Sequence, residues 1–132
     1  KGYVFKYKGV SVTMNGAAKK LIKKAGKPSK KTVKKSCAYK GKDRTYTYKD
    51  FQLKTYSKTN NGAEYVSEIR FRSNKAVTKE GIRIGSSLKA VTKKYGKAKA
   101  RFGVYTFKKG SSKLQIMLNG NKVSAIRYFA SK

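Results

Sequence analysis

Gly81-Ile82-Arg83-Ile84-Gly85-Ser86-Ser87-Leu88-Lys89-Ala90-Val91-Thr92-Lys93-Lys94-Tyr95-Gly96-Lys97-Ala98 reads as a short apolar strand, a tight break, an amphipathic helix and a glycine stop. A weaker echo runs from Val12 to Pro28. There Val12-Thr13-Met14 stands for Ile82-Arg83-Ile84, and Lys23-Lys24-Ala25-Gly26-Lys27-Pro28 for Lys93-Lys94-Tyr95-Gly96-Lys97-Ala98. In the earlier copy Asn15 offers an N-cap, and Ala17, Ala18, Leu21, Ile22 and Ala25 fall on one helical face. In the later copy Gly85 or Ser86 caps a helix that faces inward with Leu88, Val91 and Tyr95.

Strand patterns surround both stretches. Tyr3, Phe5 and Tyr7 alternate with Val4, Lys6 and Lys8, and Val10, Val12 and Met14 continue beyond Gly9. After a Lys/Ser-rich connection from Lys27 to Lys35, Val33 to Tyr39, Arg44 to Lys49 and Phe51 to Ser57 are strand candidates, with Gly41-Lys42-Asp43 as a turn. Asn60-Asn61-Gly62 predicts a hairpin turn into Tyr65–Arg72. Arg101–Lys108, Lys113–Leu118 and Lys122–Ala130 follow the second helix, with Asn119-Gly120-Asn121 as the last turn. Tyr46-Thr47-Tyr48-Lys49 matches Tyr105-Thr106-Phe107-Lys108, and Val66–Phe71 matches Val123–Tyr128. The expected fold is therefore α+β: one domain, residues 1–132, made of two structural repeats, about 1–74 and 75–132. Each would hold a short helix plus antiparallel strands, with the helices packed on one face of an antiparallel sheet.

The charge is extreme: 35 Lys and Arg against 5 Asp and Glu, a net +30, in a chain that still carries 10 Tyr and 6 Phe. Those aromatics supply a core that a disordered polycation lacks. Divided after Ser73, the two parts hold 20 basic against 4 acidic residues and 15 against 1, so the excess is no tail. Such a surface attracts polyanions in a salt-dependent way: nucleic acid, anionic lipid, or cell-wall polymers such as teichoic acids.

Chemistry is poorly provided for. There is no His, Cys37 is alone, and the acids Asp43, Asp50, Glu64, Glu68 and Glu80 are scattered, so no disulfide, imidazole site or acid–base pair is expected. Cys37 is expected to pack as a small apolar residue. The reading is of a non-enzyme without cofactor or metal. Gly81–Ser87 could hold a phosphate at a helix N-terminus. It lacks both the P-loop spacing and the G-x-G-x-x-G pattern, so its glycines are assigned to the turn. No run is long enough to span a membrane, and a leader or tether is expected to have preceded Lys1-Gly2.

The phrase carried by Ile84, Gly85, Ser86, Val91, Gly96 and Ala98, and more faintly by Met14, Asn15, Leu21, Gly26 and Pro28, resembles the β-lactamase-inhibitor-protein-like superfamily. It also resembles that superfamily's relatives among small bacterial outer-membrane assembly lipoproteins. The resemblance implies an exported bacterial protein, often lipid-anchored, that docks a protein partner on the sheet face opposite its helices. Paired cysteines are missing and no inhibitor contact residue has a match here.

Alternation puts Lys54, Tyr56, Arg70, Arg72 and Arg127 on that open face as candidate binding residues. The function expected is an exported binding or structural module, extracellular or anchored at the cell surface. It would engage a protein partner or an anionic cell-envelope polymer. The alternatives are a nucleic-acid-binding protein using the same face, and an inhibitor of a secreted enzyme.

Overall fold

The computed structural model describes residues 2–36, 40–97 and 100–130. Alternation at the start of the chain becomes a hairpin: β1 (Val4–Tyr7) and β2 (Val10–Thr13), which form a two-stranded sheet. Lys8 and Gly9 turn it with φ of 48° and 85°, the left-handed geometry that suits two-residue hairpins. The other strands are β3 (Lys30–Lys35), β4 (Lys42–Thr47), β5 (Phe51–Ser57), β6 (Glu64–Phe71), β7 (Val104–Lys109), β8 (Ser112–Asn119) and β9 (Lys122–Ala130). They build one antiparallel sheet in the order β3-β4-β5-β6-β9-β8-β7.

At its centre β6 and β9 pair through only three positions, Glu68–Arg70 against Phe129–Arg127. The rest of each inner edge is occupied by a turn that leads into a helix. Asn15 and Ala18 donate backbone N–H groups to Val66 and Glu64, and Val66 donates back to Gly16. Gly85 and Leu88 donate likewise to Val123 and Asn121, and Val123 donates back to Ser86. Buried edges of the central strands are thereby satisfied without a further strand.

The helices are short: α1 (Lys19–Ala25) and α2 (Leu88–Tyr95), seven and eight residues. Each fully buries one side chain, Leu21 in α1 and Val91 in α2. Ser87 caps α2 by accepting from the Ala90 N–H at 3.1 Å, whereas α1 starts after Ala18 without a side-chain cap. Asn15 is not that cap: it sits three residues earlier with φ 66°.

These observations correct the fold expected from the sequence. The protein is mostly β, with a seven-stranded and a two-stranded sheet, and is not a tandem repeat of helices packed on a sheet. Two-turn helices have too little apolar stripe to cover seven strands. The β1–β2 hairpin supplies much of the cover instead. The Phe5 ring lies 5.3 Å from Phe51, 5.5 Å from Phe71 and 6.3 Å from Tyr128, and Tyr7 lies 4.8 Å from Phe51. Helix α1 packs against β2 of this small sheet. The later stretch has no such hairpin: Ile82-Arg83-Ile84 is not a strand. Thr78 folds back on it, with Thr78 N–H to Ile82 O at 2.8 Å and Ile82 N–H to Thr78 Oγ1 at 2.9 Å.

Half-buried carboxylates tie the core to its rim. Glu64 accepts from the Tyr46 phenol and the Thr55 hydroxyl, both at 2.7 Å. Glu80 accepts from the Tyr95 phenol at 2.6 Å. Burial first, and the neighbouring carboxylate second, push the Tyr46 and Tyr95 hydroxyls well above the ordinary tyrosine range. Cys37 lies outside the described residues.

Candidate functional site: the open face of the seven-stranded sheet

Strand alternation gives the sheet two unlike faces. In β5, Phe51, Leu53, Thr55 and Ser57 are buried, while Gln52, Lys54 and Tyr56 sit on the other face. In β6, Ile69 and Phe71 face the core and Glu68 and Arg70 the opposite side. In β9, Ile126 and Tyr128 are buried, leaving Ala125, Arg127 and Phe129 outside. Register then decides which outer side chains meet. Lys54 stands opposite Glu68, Gln52 opposite Arg70, Arg70 opposite Arg127, and Arg127 opposite Gln115.

The result is three cations around one carboxylate. Glu68 Oε2 lies 3.3 Å from Arg70 Nη2 and 4.0 Å from Lys54 Nζ, and Glu68 Oε1 lies 3.6 Å from Arg127 Nη1. Arg127 is the better fixed of the two guanidiniums. Its Nη2 donates to Gln115 Oε1 at 2.7 Å and its plane lies 4.4 Å from the Phe129 ring centre. Arg70 is freer, with half of its side chain exposed. Like charges directly opposite on a sheet repel, and Glu68 offsets this without neutralising the group. One carboxylate among three cations leaves a local excess of positive charge.

Hollows lie on both sides of this cluster. One, of about 180 Å³, is lined by Arg70, Arg127 and Gln115 with Met117 and Ala125. The other, of about 590 Å³, runs past Lys54, Glu68 and Phe129 to Tyr56 and Asn15. The Tyr56 phenol donates to Asn15 Oδ1 at 3.0 Å, and its ring lies 5.6 Å from that of Tyr65. Guanidinium N–H groups beside aromatic and thioether surface suit a carboxylate, phosphate or sulfate borne on a larger body.

The structure thus brings together Lys54, Arg70 and Arg127 around Glu68, and leaves Tyr56 apart from them, in the larger hollow beside Asn15. Arg72 does not join them: the strand ends at Phe71, and Arg72 turns its Nη1 to the Tyr48 carbonyl. Sequence reasoning missed Glu68, Gln115, Met117 and Phe129. Hairpin counting from Asn119-Gly120-Asn121 fails to place Gln115 beside Arg127, because a bulge between Met117 and Leu118 shifts the register. The Gly81–Ser87 glycines serve the turn. Gly81 and Gly85 have φ of 94° and 99°, and the Gly85 and Ser86 N–H groups are spent on Val123 O and Arg83 O.

Among the described residues no helix is long and apolar enough to cross a membrane. No protein-family model, curated protein or solved structure matches this chain.

Proposed function

We propose that this protein is a non-enzymatic, exported binding module of a bacterial cell surface. Its open sheet face holds an anionic cell-envelope polymer or an acidic protein partner. The observation that carries the reading is the Lys54–Glu68–Arg70–Arg127 cluster: cation-rich, gathered on one carboxylate, flanked by hollows, and set in a chain of net +30. Long-range attraction brings a polyanion to such a surface, and the two guanidiniums supply oriented contacts that scattered lysines do not. Export rests on the family resemblance of the Ile84–Ala98 phrase. A signal peptide or lipobox cysteine encoded upstream of Lys1 is its test.

The binding test compares teichoic acid, polyphosphate, and single- and double-stranded DNA across a salt series. An Arg70→Ala/Arg127→Ala variant is set against Lys23→Ala/Lys24→Ala, which removes the same charge from exposed positions on α1. The arginine variant should lose at least about tenfold in affinity for the cognate polymer, and about two charges' worth of salt slope. If both variants weaken every polymer alike, the charge acts without a site. Selective loss of DNA binding would make the face a nucleic-acid surface instead.

A further inference from the structure

At the end of the sheet where β7 begins, Arg101 and Val104 close a two-residue turn with reciprocal backbone hydrogen bonds of 2.9 and 3.1 Å. Its two central residues are Phe102 and Gly103, with φ of 55° and 76°. Turns of this hand favour Asn, Asp or Gly at both places, and a bulky aromatic in the first is strained. Phe102 is 96% exposed, so packing against the described residues does not offset that strain. Strain held at an exposed position marks a place where an outside partner can do so.

The surroundings are apolar next to the tip and cationic around it. Val104 pairs with Met117, which is 46% exposed and faces the same side as Ala125. Gly103 O accepts from Leu118 N–H at 3.1 Å, so the β8–β9 turn and exposed Lys122 lie at the same sheet end as exposed Arg101. No Asp or Glu occurs after Glu80, so residues 81–132 contribute no carboxylate side chain to repel an anionic surface.

We propose that the Arg101–Val104 turn is an interfacial anchor, in which Phe102 enters the headgroup–acyl boundary of an anionic lipid surface while Arg101 and Lys122 contact its headgroups. A ring at a turn tip beside basic residues matches such an interface, which is apolar a few ångströms below an anionic layer. Base stacking is the less suitable use. A stacking platform lies along a sheet face among other rings, whereas the strand residues that adjoin this tip are Val104 and its partner Met117, neither of them aromatic. This anchor does not involve Arg70 or Arg127.

The test uses vesicles of phosphatidylcholine alone and with phosphatidylglycerol. The chain has no Trp, so Phe102→Trp is a single reporter. Its emission should shift to the blue on the anionic vesicles and be quenched by lipids brominated in the acyl chain. Phe102→Ala should partition at least about tenfold more weakly, as expected for withdrawing one phenyl ring from an apolar phase. Phe102→Asn should lose the same affinity while melting no lower than the parent, which separates anchoring from folding. Equal partition of the parent and Phe102→Ala overturns the proposal, as does a bound Phe102→Trp with unshifted emission. No binding to anionic vesicles at low salt also overturns it, yet leaves the open-face polymer assay unaffected. If Phe102→Ala instead loses single-stranded DNA and keeps vesicles, the tip is a stacking residue and the lipid anchor is wrong.

Discussion

Arg70 and Arg127 stand directly opposite each other where β6 meets β9, and Glu68 lies within 3.6 Å of both. Two like charges in that relation cost stability, and the shared carboxylate is what makes the pairing tolerable. Glu68→Gln should therefore lower stability by about 1 kcal/mol, a small figure because Arg70 and Lys54 are substantially solvated. The same change should tighten polyanion binding and steepen its salt dependence. Urea melts and the polymer titration read the two effects separately. A variant that loses both stability and affinity would show that Glu68 orients the arginines for binding.

Covering of the sheet by a hairpin has a direct consequence for stability. Phe5 is fully buried against Phe51, Phe71 and Tyr128, so Phe5→Ala should cost about 3–5 kcal/mol. Leu21→Ala removes the one fully buried side chain of α1 and should cost less, near the lower end of about 2–5 kcal/mol. Denaturant midpoints at equal slope decide the order. A larger loss at Leu21 would return the covering role to the helix.

Alkaline pH should unfold the protein. Burial, with Glu64 beside Tyr46 and Glu80 near Tyr95 and Tyr128, raises all three phenols well above the ordinary value of 10.0. A group whose folded pKa is raised contributes its stability in full below the unfolded pKa. That contribution is lost as pH climbs toward the folded value. The phenolate absorbance of these three should therefore appear only together with loss of the near-ultraviolet dichroism, above about pH 10. Tyr95→Phe should reduce that delayed absorbance by one residue.

Gly41 is required by space. A Cβ there would lie 2.1 Å from the Ser57 carbonyl oxygen and 2.6 Å from its carbon, and a backbone carbonyl in a paired strand cannot give way. Gly41→Ala should cost more than about 2 kcal/mol. Gly96→Ala meets open space at φ 89° and ψ 178° and should cost only the strain of that nearly glycine-only conformation, about 1–3 kcal/mol. Thermal melts of the pair test this, and equal losses would remove the argument from Gly41.

Alternation revealed the strands that have a buried face. Phe51–Ser57 and Lys122–Ala130 have the bounds read from the sequence. It failed where burial does not decide the residue. Strand β3, Lys30-Lys31-Thr32-Val33-Lys34-Lys35, is exposed at every position, so no apolar alternation fixes its start. The sequence reads Lys27–Lys35 as a connection and begins the strand candidate only at Val33, and the Cys37–Tyr39 end of that candidate lies outside the described residues. Ile82 and Ile84 carry the signature without the strand, because the Thr78 hydroxyl and amide take the backbone partners of Ile82. The site was half legible for the same reason. Parity put Lys54, Tyr56, Arg70 and Arg127 on one side, but which of them meet depends on the β6–β9 pairing, which joins distant parts of the chain. Arg72 has the right parity and leaves the strand one residue too early.

Strand β3 also bounds the assembly of this protein. Its outer edge pairs with no further strand among the described residues, and such an edge is the kind of template on which sheets extend from molecule to molecule. Here that template carries Lys30, Lys31, Lys34 and Lys35, all exposed, so a second copy approaching in register would align ammonium against ammonium. That charge opposes edge-to-edge association along the one described strand that is exposed at every position. Acetylating those four lysines should turn a chain that stays dispersed into one that forms edge-to-edge fibrils.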